Sequence, residues 1–441
     1  MKVAFATLGC RTNQHDTAEM QALLEQDGFS IVDPGEKADV YVINTCTVTR
    51  KSDHDSRLAV KKSLAINGNA MVVFTGCYAQ MNPEESAALP GMDIVLGNAN
   101  KLEIAEVIKK TLAGKNPWTK PGKADLHMSD IRGPREFRTV PVSQFRGRTK
   151  AFIKVQTGCD EKCSFCTVVL ARGRSISDSR ENVLRNVKEA VAVGFKEITL
   201  TGINLGTYGM DKPTRESFSS LVAEIVQLKG NFRVRISSIN PMEIDDDLLR
   251  LMADTEKLCP HLHVPLQSGD DFILARMRRN YNSRQYVDMI ERIARTVPNA
   301  GLGADAIVGF PGETDGMFER TRALAEGLPF SYLHAFTYSP RRSTEAHGFK
   351  DDVPKDVKKS RNKILTDLAS EKSIRFRKSF VNKTVSVLVE KRRDALTGLL
   401  KGYSEQYIPV RFEGDEDCVN QIVPVAIRTA DERGVYGCVP S

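Results

Sequence analysis

The chain has 441 residues and a formal net charge of +7, and its length calls for more than one ordinary domain. With 41% hydrophobic and 27% charged residues it has the balance of a soluble globular protein, and no apolar run is long enough to span a membrane. The opening MKVAFATLGCRTNQ is too short in apolar residues for a secretion signal, so the nine cysteines are expected in a reducing cytoplasm, as ligands or catalytic groups.

Residues 1–113 alternate short apolar runs at 3–8, 40–44, 71–75 and 94–96 with helix-period segments at 16–26 and 102–112. Strands separated by helices imply an open parallel α/β sheet covered on both faces. Cys10 in LGC, Cys46 in NTC and Cys77 in TGC each follow the carboxyl end of one of the first three strands. Ligands bind along that edge of such a sheet, so three strands deliver three thiols to one rim. Burial of free cysteine accounts for any one of them but does not require a shared edge. Gly9 and Gly76 allow tight turns beside two of them. Three thiols leave a cubane one ligand short, and an iron–sulfur site with an open iron is the expectation.

Residues 114–144 form a basic linker containing Pro117, Pro121, Gly122, Gly133, Pro134 and Pro141. The positive charge of the chain concentrates here: 114–150 holds 9 Lys and Arg against 3 Asp and Glu. Localised charge of this kind suits a polyanion such as nucleic acid, or simply a solvated loop. Phe137 and Phe145 either stack on unpaired bases or pin the linker to a domain.

A third region, 145–375, opens with a strand at 151–156 and then GCDEKCSFCTVVLARG, which spaces Cys159, Cys163 and Cys166 as C-x3-C-x2-C. Half a zinc site and a redox dithiol are the alternatives to a cluster. Zinc calls for a second cysteine pair or a histidine pair, and none follows within several tens of residues. Further strands at 197–201, 233–237, 262–265, 302–308 and 332–338 are separated by helices at 179–193, 218–228, 246–252, 283–295 and 317–324, with Ser179 capping the first. Six strands with helical crossovers suggest a partial TIM-like (β/α)6 barrel, whose site lies at the carboxyl strand ends. The polar tails TGINLG, SSINP, LQSGDD and GFPGET all occupy that end. His261 and His263 alternate on one strand face and read as packing residues rather than metal ligands.

A lysine-rich helix near 353–376 leads to residues 376–441, where the period changes to two and glycine turns separate short strands. A small five-strand, OB-like β-barrel is expected. Lys391, Arg392, Arg393, Lys401, Tyr403, Tyr407 and Arg411 mix charge with rings, as binding of single-stranded RNA requires. Cys259, Cys418 and Cys438 follow no pattern.

The C-x3-C-x2-C motif ahead of a (β/α) repeat resembles the radical S-adenosylmethionine (SAM) enzymes. Preceded by three spread cysteines and followed by a basic β module similar to the TRAM modules of RNA-modifying enzymes, it resembles the methylthiotransferases over essentially the whole chain. The resemblance implies two [4Fe–4S] clusters, one on Cys159, Cys163 and Cys166 and an auxiliary one on Cys10, Cys46 and Cys77. It places an aromatic, Phe165, beside SAM, a glycine-containing turn at Gly202 and Asn204, and a ribose-side polar pair at Ser237 and Ser238. Gln267 on the next strand end and Gly309, whose bare backbone can approach the adenine, are read from their place at the strand ends, and ordinary loop chemistry (serines capping helices, glycines turning corners) is the alternative for each of these strand-end residues. No catalytic acid or base is implied, since an unactivated C–H yields to a radical rather than to proton transfer.

The opening GCRTNQHDT resembles the subgroup acting on threonylcarbamoyl-adenosine in tRNA, beside the anticodon. Related subgroups act on isopentenyl-adenosine in tRNA or on an aspartate of a ribosomal protein. A non-catalytic RNA-binding redox sensor is the alternative of another class. An external low-potential electron donor is implied, with no membrane or DNA partner. The chain departs from the family pattern at TVVLARGRSIS, where relatives carry a proline near Val169 and an arginine near Ile176.

Overall fold

The computed structural model describes residues 1–113, 120, 122–142 and 145–440. Pro117, Pro121 and their neighbours in the linker lie outside the described residues. The chain packs as two compact units: 1–146 with 154–161 and 166–186, and 147–153 with 162–165 and 187–441.

The first unit contains a six-stranded sheet in the order β2-β1-β3-β4-β5-β6, built from β1 (Lys2–Thr7), β2 (Ser30–Val32), β3 (Val40–Thr45), β4 (Met71–Gly76), β5 (Ile94–Leu96) and β6 (Asp125–His127). Every pairing is parallel. Strands covered on both faces read as unbroken apolar runs, and β3 and β4 are buried at every position. Val42, Val73, Ile94 and Leu96 pack with Met20, Leu24, Ile104 and Ile108. Ile43, Val72, Phe74 and Val95 form a second core with Val60 and Tyr78.

Several features differ from the sequence reading, and the edge strand β2 is among those it did not mark. The first helix spans Arg11–Gln26 and so begins directly after Cys10, ahead of the segment that its apolar spacing marks. Its opening turn is polar yet buried, because Asn13 donates to the carbonyls of Leu8 and Thr45, both at 2.8 Å. A helix at Arg50–Ile66 buries only Ser56, Val60 and Ser63, too few apolar residues for a periodic signal; Thr49 caps it by accepting from the Ser52 N–H. The linker supplies β6, ordered by pairing with β5 rather than by any apolar pattern of its own.

The second unit carries the six strands of the partial barrel at Lys150–Lys154, Glu197–Thr201, Arg233–Ile236, His261–His263, Gly301–Val308 and Tyr332–Thr337. They form two three-stranded sheets, joined by parallel bridges from Val234 to Leu258 and from Ser238 to His263. Asn282 and Gln285 close a reciprocal cap on the helix Ser283–Thr296. Beyond the 24-residue helix Lys355–Lys378, five strands from Thr384 to Cys438 close a separate small barrel.

The two barrels of this unit meet at the amino ends of the larger one's strands. Glu197, fully buried, is paired with Arg233 at 2.7 Å, Arg235 at 3.0 Å and Lys150 at 3.8 Å. The two guanidiniums also donate to the backbone carbonyls of Ser386, Tyr403, Ser404 and Glu405. Tyr407 tucks against His261, Tyr403 and Arg235, which corrects its sequence reading as an RNA-facing ring. A tyrosine in a glycine-poor turn between two strands looks the same in sequence whichever way it points.

Candidate functional site

The ends of β1, β3 and β4 bring the spread cysteines together within the first unit. Cys10 immediately precedes the helix Arg11–Gln26 and Cys77 begins the short helix Cys77–Met81, while Cys46 follows β3. Gly9 and Gly76 have φ of +90° and +99°, a region that side chains avoid. A Cβ on Gly9 would stand 2.7 Å from the Cys46 Cβ and 2.9 Å from its Sγ, so the two loops touch. A Cβ on Gly76 would lie 2.4 Å from both the N and O of Thr45. Asn98 donates to the Cys77 Sγ at 3.8 Å and to the Ala171 carbonyl at 2.7 Å. Cys10 is exposed, Cys77 half-buried and Cys46 buried. Burial pushes the Cys46 thiol up to about 11, and the neighbouring Cys77 and Cys10 add to this.

Among the described residues no three His, Cys, Asp or Glu side chains stand close enough to grip a single ion. A cubane asks for something else, since its own width holds its thiolate ligands apart. Three thiols on neighbouring loops, kept at different depths from water, are a donor set that would fit an incompletely ligated cluster.

Beneath this rim lies a buried charge network that the sequence did not signal. Asp16 is paired with Lys101 at 2.7 Å and with Lys154 and Arg172 at 2.9 Å, and Glu19 is paired with Lys154 at 2.6 Å. Burial works against ionisation of both carboxylates, but the cations win: Asp16 is held well below the usual range and Glu19 at about 2. Arg172 closes the helix Val168–Arg172 and also donates to the Asn13 Oδ1 at 2.5 Å. Phe145 is buried beside His15 and Phe137 lies under the Lys154 ammonium, so both rings pin the linker.

In the second motif Cys159 and Cys166 belong to the first unit and Cys163 to the second. The Sγ of Cys159 accepts from the Glu161 N–H and that of Cys166 from the Val168 N–H, both at 3.4 Å. Gly158 and Gly173 both have positive φ, and a Cβ on Gly158 would meet the Arg174 carbonyl oxygen at 1.9 Å. Donors turned toward sulfur in a loop this tight suit thiolate ligands. Cys163 accepts from Arg279 at 3.2 Å, and Arg279 has no motif to announce it.

The sequence-predicted cofactor residues fall on the carboxyl strand ends of the barrel. Phe165 meets Phe310 edge-on at 6.4 Å in a cluster with Met277 and Tyr338. Gly202 and Asn204 follow the strand Glu197–Thr201, and the buried Asn204 accepts from Asn240 at 2.7 Å. Ser237 is buried and Ser238 exposed. Gln267 adopts φ +64° and exchanges backbone hydrogen bonds with Asp305 and Ile307. Gly309 has φ +68°, donates to Glu313 at 2.7 Å, and leaves its Cβ direction to the Lys358 stem.

Strand alternation also places His263, Asp305, Ile307, His334 and Phe336 on one partly exposed face. Among these, His263 and Asp305 pair at 3.1 Å, and Asp305 lies opposite His334 in register. Burial lowers the His334 pKa, opposed by Asp305 and aided by His263. The period-two runs LGADAIVGF and SYLHAFTY carry this signal in sequence.

On the small barrel Lys391, Arg392 and Arg393 are exposed, and a cleft of about 110 Å³ is lined by Lys401, Tyr403, Arg411, Arg433, Glu390 and Asp394 among others.

Residues 2–97 match the uncharacterized protein family UPF0004, and residues 153–325 match the radical SAM superfamily. The chain is 37% identical over 427 residues to the threonylcarbamoyladenosine tRNA methylthiotransferase MtaB of Aquifex aeolicus, covering 97% of this chain and 100% of that one. It is 35% identical to the Bacillus subtilis protein of the same name, over 97% and 94% of the two chains. A tRNA-2-methylthio-N(6)-dimethylallyladenosine synthase of Clostridium botulinum is 32% identical, over 98% and 95%. Among solved structures the fold resembles the radical SAM methyltransferase TsrM of Kitasatospora setae, with a TM-score of 0.54 at 14% identity over 76% and 72% of the two chains. Fold and sequence together define a radical SAM enzyme. The chain belongs to the radical SAM methylthiotransferase family.

Proposed function

We propose that the chain adds a methylthio group to carbon 2 of threonylcarbamoyl-adenosine next to the anticodon of tRNA. The full-length likeness to two proteins named for that substrate carries this reading. Cys159, Cys163 and Cys166 would hold a cluster supplying one-electron reduction of SAM, and Cys10, Cys46 and Cys77 would hold an auxiliary cluster supplying sulfur. The chain's own residues ligate, orient and exclude water. Gly9 and Gly76 let two cysteine loops approach β3 closely. Phe165, Gly202, Asn204, Ser237, Ser238, Gln267 and Gly309 line the strand ends where SAM is to sit, and Phe165 is backed by Phe310.

Lys391, Arg392 and Lys401 give the small barrel a charged face for the anticodon stem-loop, whose unpaired bases are open to it without melting a duplex. Electrons come from an external low-potential donor, in the cytoplasm. No helix among the described residues is long and apolar enough to cross a membrane.

Anaerobically reconstituted protein with reductant and SAM should release 5′-deoxyadenosine and methylthiolate tRNA bearing threonylcarbamoyl-adenosine, read by nucleoside mass spectrometry. Transfer only to dimethylallyl-adenosine in tRNA would move the substrate to the neighbouring subgroup. No SAM cleavage would return the chain to a redox-sensing role.

A further inference from the structure

Arg279 lies just beyond the helix Asp271–Arg276, outside every motif, yet its guanidinium makes contacts in three directions within the second unit. One nitrogen donates to the Cys163 Sγ at 3.2 Å and another to the Asn240 Oδ1 at 2.7 Å, while the group lies 4.9 Å from the centre of the Tyr281 ring. Tyr281 is itself anchored, its hydroxyl donating to the carbonyls of Pro265 and Leu266 at 3.0 Å. Asn240 turns its amide to the Asn204 Oδ1 at 2.7 Å and to Glu243 at 3.0 Å. An unbroken chain of hydrogen bonds therefore runs from a cysteine of the C-x3-C-x2-C loop, through one arginine, to the polar tails of two barrel strands. The same loop is held from its other side by Ser164, which donates to the Arg276 carbonyl at 2.7 Å and whose backbone N–H reaches Met277 at 3.1 Å.

We infer that Arg279 is a positioning residue that ties the Cys163 thiolate to the cofactor-binding strand ends and, through its charge, raises the reduction potential of the cluster on that loop. The inference rests on Cys159, Cys163 and Cys166 holding that cluster. Reduction adds negative charge to the iron–sulfur core, and a cation donating to a ligand sulfur stabilises the reduced form more than the oxidised one. A guanidinium suits the task because its planar fork reaches sulfur and amide oxygen together, which an ammonium cannot do.

The test uses full-length protein with Cys10, Cys46 and Cys77 all replaced by alanine, so that reconstitution loads one cluster. Its midpoint potential is followed by electron paramagnetic resonance, and SAM affinity by equilibrium binding. Arg279→Gln should shift the potential to more negative values and weaken SAM binding about 10-fold, the scale of losing one hydrogen bond from a charged group in the network that orders the strand ends. Arg279→Lys should bring the potential back toward that of the parent while SAM binding stays weak. An unchanged potential in Arg279→Gln at equal iron content would overturn the inference. If Arg279→Gln holds no cluster, Arg279→Lys decides: restored iron and potential support the charge role, and failure to restore them refutes it. A parent that binds no iron would instead overturn the cluster reading itself.

Discussion

The two cysteine triads reach a similar end by opposite routes. Cys159, Cys163 and Cys166 lie within eight residues of chain, and their spacing alone brings the thiols within reach of one another. Cys10, Cys46 and Cys77 are separated by 35 and 30 intervening residues and meet because β1, β3 and β4 are neighbours in one parallel sheet. A local triad depends on one short loop, whereas a spread triad depends on a whole domain being folded. The second design is more exposed to mutation far from the thiols and less exposed to changes of loop length.

The sharpest break in the comparison is Cys46→Ala. It should abolish methylthio transfer and reduce iron from about eight to about four per chain, as loss of one cubane requires. Release of 5′-deoxyadenosine should persist, and equal loss of both activities would mean that the triads do not act separately.

Gly76→Ala tests the claim that the spread triad depends on backbone geometry. Its Cβ would meet the Thr45 backbone at 2.4 Å in a conformation that only glycine adopts readily. It should destabilise the first unit by about 3 kcal/mol or more and lower iron content, with no sulfur atom removed. Urea unfolding and iron analysis would measure both effects.

Arg172→Met probes the charge network under the rim. Removing one cation from buried Asp16 should cost about 3 kcal/mol in urea unfolding, the low end for breaking a buried pair because Lys101 and Lys154 remain. The smallest effect is that of acid. Glu19 titrates at about 2 in the folded chain against 4.5 ordinarily, so its stabilisation is complete above pH 4.5 and fades as pH falls toward 2. Urea midpoints at pH 5, 4 and 3 should fall in that order, and Glu19→Gln should flatten the trend.

Much of the architecture is legible in residue order. Period-two and helix-period runs located all six strands of the larger barrel and the five-strand module, because burial of one or both strand faces writes itself into residue order. The first-strand ends with Cys10, Cys46 and Cys77 were legible for the same reason. Helix Arg50–Ile66 and strand β6 were not, since one buries mainly small polar side chains and the other is held by backbone pairing. Tyr407 reads in sequence as an RNA-facing ring and packs beside His261 instead.

Sequence alone determined the six thiols, their grouping by spacing and strand order, and the likeness to a family, because ligand chemistry and strand periodicity are properties of residue type and local order. Only the tertiary structure decided which charges stand beside those thiols. Asp16 meets Arg172 across 156 positions and Arg279 meets Cys163 across 116. Pairings over such separations leave no periodic trace, since they depend on where whole strands and helices come to rest.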